Sequence, residues 1–125
     1  DVVSINFYLP MVPKAVLSDI DKPVMIGEFH FGALDRGMFH TGLQGAADQD
    51  ERGKLYHQYV MSVAEHPNFV GCHWFKYTDQ PLTGRAMDGE NYSVGLVTGV
   101  DVPHETFLTY VKDAHAKAYS HRAGQ

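Results

Sequence analysis

A single cysteine, Cys72, stands among 125 residues, so no internal disulfide can form. It lies inside an apolar strand-like run, which predicts a buried, inert thiol. No apolar run approaches the roughly 18 residues that a membrane-crossing helix needs, and no charged-then-apolar leader opens the chain. No membrane association is expected. Basic charge is also scarce. Ten Lys and Arg against fifteen Asp and Glu leave a net charge of -5, and the ten are scattered, whereas phosphate-backbone binders cluster theirs. Nucleic acid is therefore excluded as a partner. The eight His residues never take a metal-site spacing such as H-E-x-x-H. There is no phosphate-cradling, glycine-rich strand-to-helix turn either, so neither a metal nor another cofactor is expected. Internal repeats, low-complexity tracts and linkers are missing as well.

What is present suits one ordinary core: 44% of the residues are hydrophobic and 20% charged. The most informative run is Pro23-Val-Met-Ile-Gly-Glu28-Phe-His-Phe-Gly32, a short apolar strand that delivers one carboxylate, Glu28, into a loop rich in glycine and aromatic residues. Two runs of the same style flank it, Val2 to Tyr8 and Phe69 to Tyr77. The pattern predicts a strand over about 2 to 8, a short helix near Lys14 to Asp19, a strand over about 23 to 28 and a long loop from Phe29 to Gly45. A helix from about Asp48 to Glu65 follows, with capping-box spacing between Asp48 and Glu51 and a stop at His66-Pro67. Leu55, Tyr59, Val60 and Val63 recur along it at helical spacing. A third strand over 69 to 77 opens into a loop from Thr78 to Ser93. A last helix is expected from near Asp101, with Pro103 in its first turn and Phe107, Leu108, Val111 and Ala114 buried.

Strand and helix alternating three times, with connections too long for hairpins, is the pattern of parallel βα units. Alternation along each strand sorts its side chains onto two faces. Val3, Ile5 and Phe7 oppose Ser4, Asn6 and Tyr8. Val24, Ile26 and Glu28 oppose Met25, Gly27 and Phe29. Val70, Cys72 and Trp74 oppose Phe69, Gly71, His73 and Phe75, which sends His73 toward the helices as a satisfied core histidine. Tyr8, Glu28 and Trp74 gather at the C-terminal ends of their strands, the rim where α/β proteins build active sites. A whole (β/α)8 barrel takes about 250 residues. Residues 1–125 are thus expected to be the C-terminal segment of a TIM-barrel domain, strands six to eight with their helices, incomplete alone. Asp1, followed at once by a buried-looking strand, suggests the same origin.

The succession of Asn6-Phe-Tyr8, Lys22-Pro-Val-Met-Ile-Gly-Glu28-Phe and a Trp74 strand resembles the clan of retaining glycosidases built on (β/α)8 barrels. Gly27-Glu-Phe-His-Phe-Gly-Ala-Leu-Asp-Arg-Gly-Met-Phe-His40, Asp79-Gln-Pro and Asp88-Gly-Glu-Asn-Tyr92 are similar to the β-agarases of glycoside hydrolase family 50. The resemblance implies that Glu28 is the nucleophile of a retaining mechanism. It implies that Tyr8 hydrogen-bonds Glu28 and supports its charged form. It also implies that Trp74 is an aromatic platform for the apolar face of a sugar. Such a mechanism needs a second, protonated carboxyl about 5 Å from the first. In the clan it belongs to an Asn-Glu pair, and no Asn-Glu occurs here. Glu90 precedes its Asn and is not cast as the acid. Glu51, Glu65 and Glu105 fall in helical patterns and are expected to be solvated. Sugar hydroxyls are recognised by amides, carboxylates and Arg forks, which makes Asn6, His30, Asp35, Arg36, Gln80, Glu90 and Asn91 candidate substrate contacts. His30, two residues beyond Glu28, is expected to meet a sugar hydroxyl directly.

The resemblance implies an agarose or neoagaro-oligosaccharide substrate, cleaved at β-1,4 bonds, and a secreted or periplasmic parent. Two alternatives stay open. One is a β-galactosidase of the same clan. The other is a non-catalytic half-barrel that associates with itself through its long apolar sheet edges, or at most binds sugar.

Overall fold

The computed structural model describes residues 1–124. Three strands, β1 (Val3–Asn6), β2 (Val24–Phe29) and β3 (Phe69–Trp74), form a parallel sheet in the order β1-β2-β3. Helix α1 (Gln49–Glu65) links β2 to β3, and helix α2 (Glu105–Arg122) follows β3. The two helices pack on each other and on one face of the sheet. Val24, Ile26, Phe29 and Phe69 from the strands meet Tyr56, Tyr59, Val60 and Val63 of α1 and Phe107, Val111 and Ala114 of α2. Leu55 and Leu108 lie at the margin of this core rather than inside it. Phe29 stacks flat on Tyr59, with ring centroids 4.1 Å apart. The opposite sheet face carries Ser4 and Asn6, whose side-chain oxygens crowd Gly27 so closely that a Cβ there would meet them at 2.8 Å.

Helix α1 starts as its sequence predicts. Asp48 Oδ1 accepts from the Glu51 amide at 2.9 Å, while Glu51 reaches back to the Ala47 amide at 2.5 Å, one residue earlier than a standard capping box. Glu51, Glu65 and Glu105 are all exposed.

Several expected boundaries move. Residues 14–19 form turns, not a helix. Leu17 takes a left-handed conformation (φ 53°), and the Asn68 side chain clips the carbonyls of Leu17, Ser18 and Ile20. Helix α2 begins four residues later than expected. Pro103 pairs with Val97 in an antiparallel bridge, Val102 donates to the Thr98 hydroxyl, and the His104 amide bonds to Leu96 before the helix opens. Strands β1 and β3 stop at Asn6 and Trp74, short of Tyr8 and Tyr77.

The alternation also breaks. Pairing slips between Val24 and Met25 and again between Ile26 and Phe29. A slip of one residue exchanges the faces of everything beyond it. Phe29 therefore joins Val24 and Ile26 in the core, and Glu28 leaves that face and stays half-buried. In β3, Phe69, Cys72 and Trp74 pack toward the helices, while His73 is exposed rather than a core histidine. Cys72 is free, and burial pushes its thiol up to about 12, consistent with an inert group.

Candidate active site

Glu28 is the register partner of Asn6, at the C-terminal ends of adjacent strands. The irregularity between Ile5 and Asn6 and the bulge in β2 both fall here, where a bulge commonly re-aims a side chain. Two residues beyond Asn6, the Tyr8 hydroxyl donates to Glu28 Oε2 at 2.7 Å. Burial, together with Glu28, pushes the Tyr8 hydroxyl well above the ordinary phenol range, so Tyr8 keeps its proton and acts as donor. Two further elements hold Tyr8 in place. Its carbonyl accepts from Gln44 at 2.8 Å, and its ring lies 4.7 Å from that of His30.

His30 stands behind Tyr8. The ring is 1% exposed, and its Nε2 accepts the Leu43 amide at 2.8 Å. That bond fixes the tautomer, because a nitrogen that accepts an N–H cannot carry its own proton. The proton is then on Nδ1, which has no partner within full hydrogen-bond geometry and only the Phe75 backbone nearby. Burial, with help from the Arg52 charge, lowers His30 to about 4, so it is neutral at physiological pH. A direct contact between His30 and a sugar hydroxyl does not fit this geometry. The residue builds the wall of the site.

Trp74 is also displaced from its expected role. The bulged register turns its indole to the helix side, where it meets Phe29 edge-on at 5.2 Å and packs against Tyr56 and Phe107. Its N–H donates to the Val94 carbonyl at 2.8 Å. Phe75, next along the chain, turns the other way and lies 5.9 Å from His30.

The loop after β3 brings a second polar group toward Tyr8. Gln80 is buried and bridges two neighbours, donating to Glu90 at 2.8 Å and accepting the Tyr92 amide at 2.8 Å. Arg85 lies 3.1 Å from Glu90 and forks onto both oxygens of Asp88 at 2.7 and 2.6 Å. This hydrogen-bonded fork holds Asp88 down at about 2. Asn91 reaches only the Leu82 carbonyl, at 3.4 Å. On the loop after β2, Asp35 accepts from the backbone and side-chain amides of Gln49, which fastens that loop to the start of α1. Arg36 beside it is exposed. Asn6, Tyr8 and Glu28 thus meet at the strand ends, Gln80 and Glu90 are bonded to each other on the loop after β3, and Asp35, His30 and Trp74 make their contacts within the fold. No cluster of three or more His, Cys, Asp or Glu side chains suited to a metal occurs among the described residues.

Beneath the two loops lies a residue the sequence did not single out. Arg52 is fully buried. Its guanidinium donates to Phe31 O at 2.7 Å, Gln49 Oε1 at 2.9 Å and Gly95 O at 2.7 Å, and it sits 3.9 Å over the Phe107 ring. Burial lowers it to about 10, against the pull of Asp79 and Asp35, so it remains charged. Asp79 in turn accepts the Gly95 amide at 2.7 Å and pairs with buried His104 at 2.8 Å. These contacts join the loop after β2 to the loop after β3. The sequence carries no signal for this role beyond a single Arg within the helical stripe of α1.

No protein-family model matches the chain. Curated relatives do. Beta-agarase B of Vibrio sp. (strain JT0107) is 46% identical over 123 residues, which is 95% of this chain and 13% of that protein. The chain is similar to beta-agarases. Among solved structures, an exo-beta-agarase superposes with a TM-score of 0.94 at 51% identity over 98% of this chain and 17% of that one. The agarase AgWH50C gives 0.92 at 47% identity, over 98% and 19%. The chain therefore spans about an eighth of the length of the curated relatives it matches.

Proposed function

We propose that residues 1–125 are the C-terminal segment of a (β/α)8-barrel glycoside hydrolase of the beta-agarase type, holding strands six to eight, with Glu28 as the nucleophile of a retaining mechanism. The observation that carries this reading is the Tyr8–Glu28 hydrogen bond at the C-terminal ends of adjacent parallel strands, in a chain whose relatives are beta-agarases. The sheet supports it as well. Parallel sheets are ordinarily covered on both faces, yet this one has helices on a single face and free edges at β1 and β3. An apolar groove of about 290 Å³ runs along the β3 edge beside α2, with Val70 and Tyr119 exposed at it. Further strands and helices of a barrel would cover these surfaces.

In this reading the Glu28 carboxylate attacks the anomeric carbon of a β-1,4-linked galactose unit in agarose or a neoagaro-oligosaccharide. A carboxylic acid from another part of the barrel protonates the leaving oxygen. Water then releases the glycosyl-enzyme, with that second group acting as base. Phe75, half-buried at the end of β3, takes the place expected of Trp74 as the apolar surface beneath a sugar ring.

The test is Glu28→Gln in the whole protein that carries this chain. Turnover of neoagarotetraose is expected to be abolished while the oligosaccharide still binds, and the unsubstituted enzyme is expected to release product with its anomeric configuration kept, read by proton NMR. Activity retained in the variant, or an inverted product, removes Glu28 from the nucleophile's role.

A further inference from the structure

Four rings stand in a row behind the candidate rim. Tyr8 lies 4.7 Å from His30, His30 meets Tyr92 edge-on at 5.8 Å, and Tyr92 lies 4.8 Å from His40. The row crosses three segments: the chain just beyond β1, the loop after β2 at its start and near its middle, and the loop after β3. Tyr92 is held through its backbone on both sides. Its amide donates to Gln80 Oε1 at 2.8 Å, its carbonyl accepts the Gln80 amide at 3.1 Å, and the next residue, Ser93, donates to His40 O at 2.8 Å. The ring is thus clamped between two imidazoles and its backbone between two loops. Its hydroxyl, by contrast, makes no hydrogen bond among the described residues. A phenol that is clamped at the ring and left free at the oxygen is prepared to meet something outside the chain. Gln80 bonds both Tyr92 and Glu90, and His30 packs on both Tyr92 and Tyr8, so the phenol belongs to the same group of side chains as the Tyr8–Glu28 pair.

We infer that Tyr92 is a substrate-binding residue whose hydroxyl hydrogen-bonds a hydroxyl of the sugar unit seated beside Glu28. The inference rests on the glycosidase reading and adds to it a residue of the loop after β3, fixed in place before substrate arrives. Preorganisation of this kind raises affinity without further ordering cost. A Phe at the same position would keep both ring contacts and lose only the oxygen, so a change in fold is not expected.

The experiment compares the whole protein with its Tyr92→Phe variant, using neoagarotetraose as the probe. Turnover and isothermal titration are both measured, the titration in the Glu28→Gln background so that the sugar survives. The loss of one neutral hydrogen bond predicts a fall in affinity and in kcat/KM of about 10-fold, with an unchanged melting temperature. Affinity and kcat/KM within two-fold of the parent overturn the assignment of Tyr92 while leaving the glycosidase reading intact. If the unsubstituted protein neither binds nor cleaves the oligosaccharide, the glycosidase reading fails and this inference falls with it.

Discussion

Tyr8 donates its phenolic proton to Glu28 across 2.7 Å, from the end of one strand to the end of its parallel neighbour. Hydrogen bonds to charged groups contribute about 1.5–3 kcal/mol. If that contribution is greatest where Glu28 is held for attack, Tyr8→Phe should lower kcat about 10- to 100-fold in the whole protein. The melting temperature should shift little, since the ring and its contact with His30 remain. Steady-state kinetics with neoagarotetraose decide it; an unchanged kcat would mean that the bond only shapes the wall.

His30 ties the wall to pH. In the folded chain it is lowered to about 4 from an ordinary value of 6.5. Between those values the unfolded chain binds the proton and the folded chain does not, so stability rises with pH across that window. The contribution is complete above about 6.5 and is lost as pH falls toward about 4. A protonated ring could no longer accept the Leu43 amide. Melting curves of the wild type and His30→Gln from pH 4 to 8 should differ in slope in that window, with the variant flatter. Parallel curves would contradict this account.

Gly42 lies close against the same nitrogen of His30. Its φ of 80° is a conformation that side chains rarely adopt, and a Cβ would lie 2.5 Å from His30 Nε2. Gly42→Ala is therefore expected to lower stability by about 1–3 kcal/mol and to release the Leu43 amide for hydrogen exchange. A variant with native exchange at Leu43 would show that the loop adapts freely.

Arg52 carries the heaviest structural role among the charged residues. Its fork satisfies three acceptors on two loops and a helix. Lys offers a point charge without the fork, and removing one partner of a buried charged network typically costs about 3–5 kcal/mol. Arg52→Lys should reduce chemical-denaturant stability on that scale, and substrate affinity with it, because both rim loops depend on the same guanidinium. Unaltered denaturation midpoints would refute the role.

The parts of this structure that were legible in the sequence are those governed by local rules. Strand runs rich in Val, Ile and Phe, the Asp48 cap, the Pro67 stop and the helical stripe of α1 all lie where their patterns point. Glu28 and Tyr8 were legible because each lies near the C-terminal end of an apolar strand run. The faces were not, because alternation assumes an unbroken ladder and β2 slips twice against β3. The slip at the start of β3 put Cys72 and Trp74 against the helices and His73 into solvent, and the slip near the end of β2 moved Phe29 into the core and Glu28 out of it. Long-range partners such as Arg52 with Gly95 or Asp79 with His104 leave no periodic trace at all.

The proposed exchange of roles between Trp74 and Phe75 can be measured. Trp74 touches Phe29, Tyr56 and Phe107 and donates to Val94. Trp74→Ala removes a large aromatic body from packed surroundings and should cost about 3–5 kcal/mol of stability. Trp74→Phe, which keeps most of the ring and loses the N–H, should cost less and leave KM for neoagarotetraose unchanged. Phe75→Ala should behave in the opposite way. Its ring lies on the site side near His30, so KM is expected to rise several-fold with a smaller loss of melting temperature, as an aromatic surface beneath a sugar would require. Thermal melts and saturation kinetics on the three variants separate a core residue from a platform. A raised KM in Trp74→Phe with native stability would return the platform to Trp74.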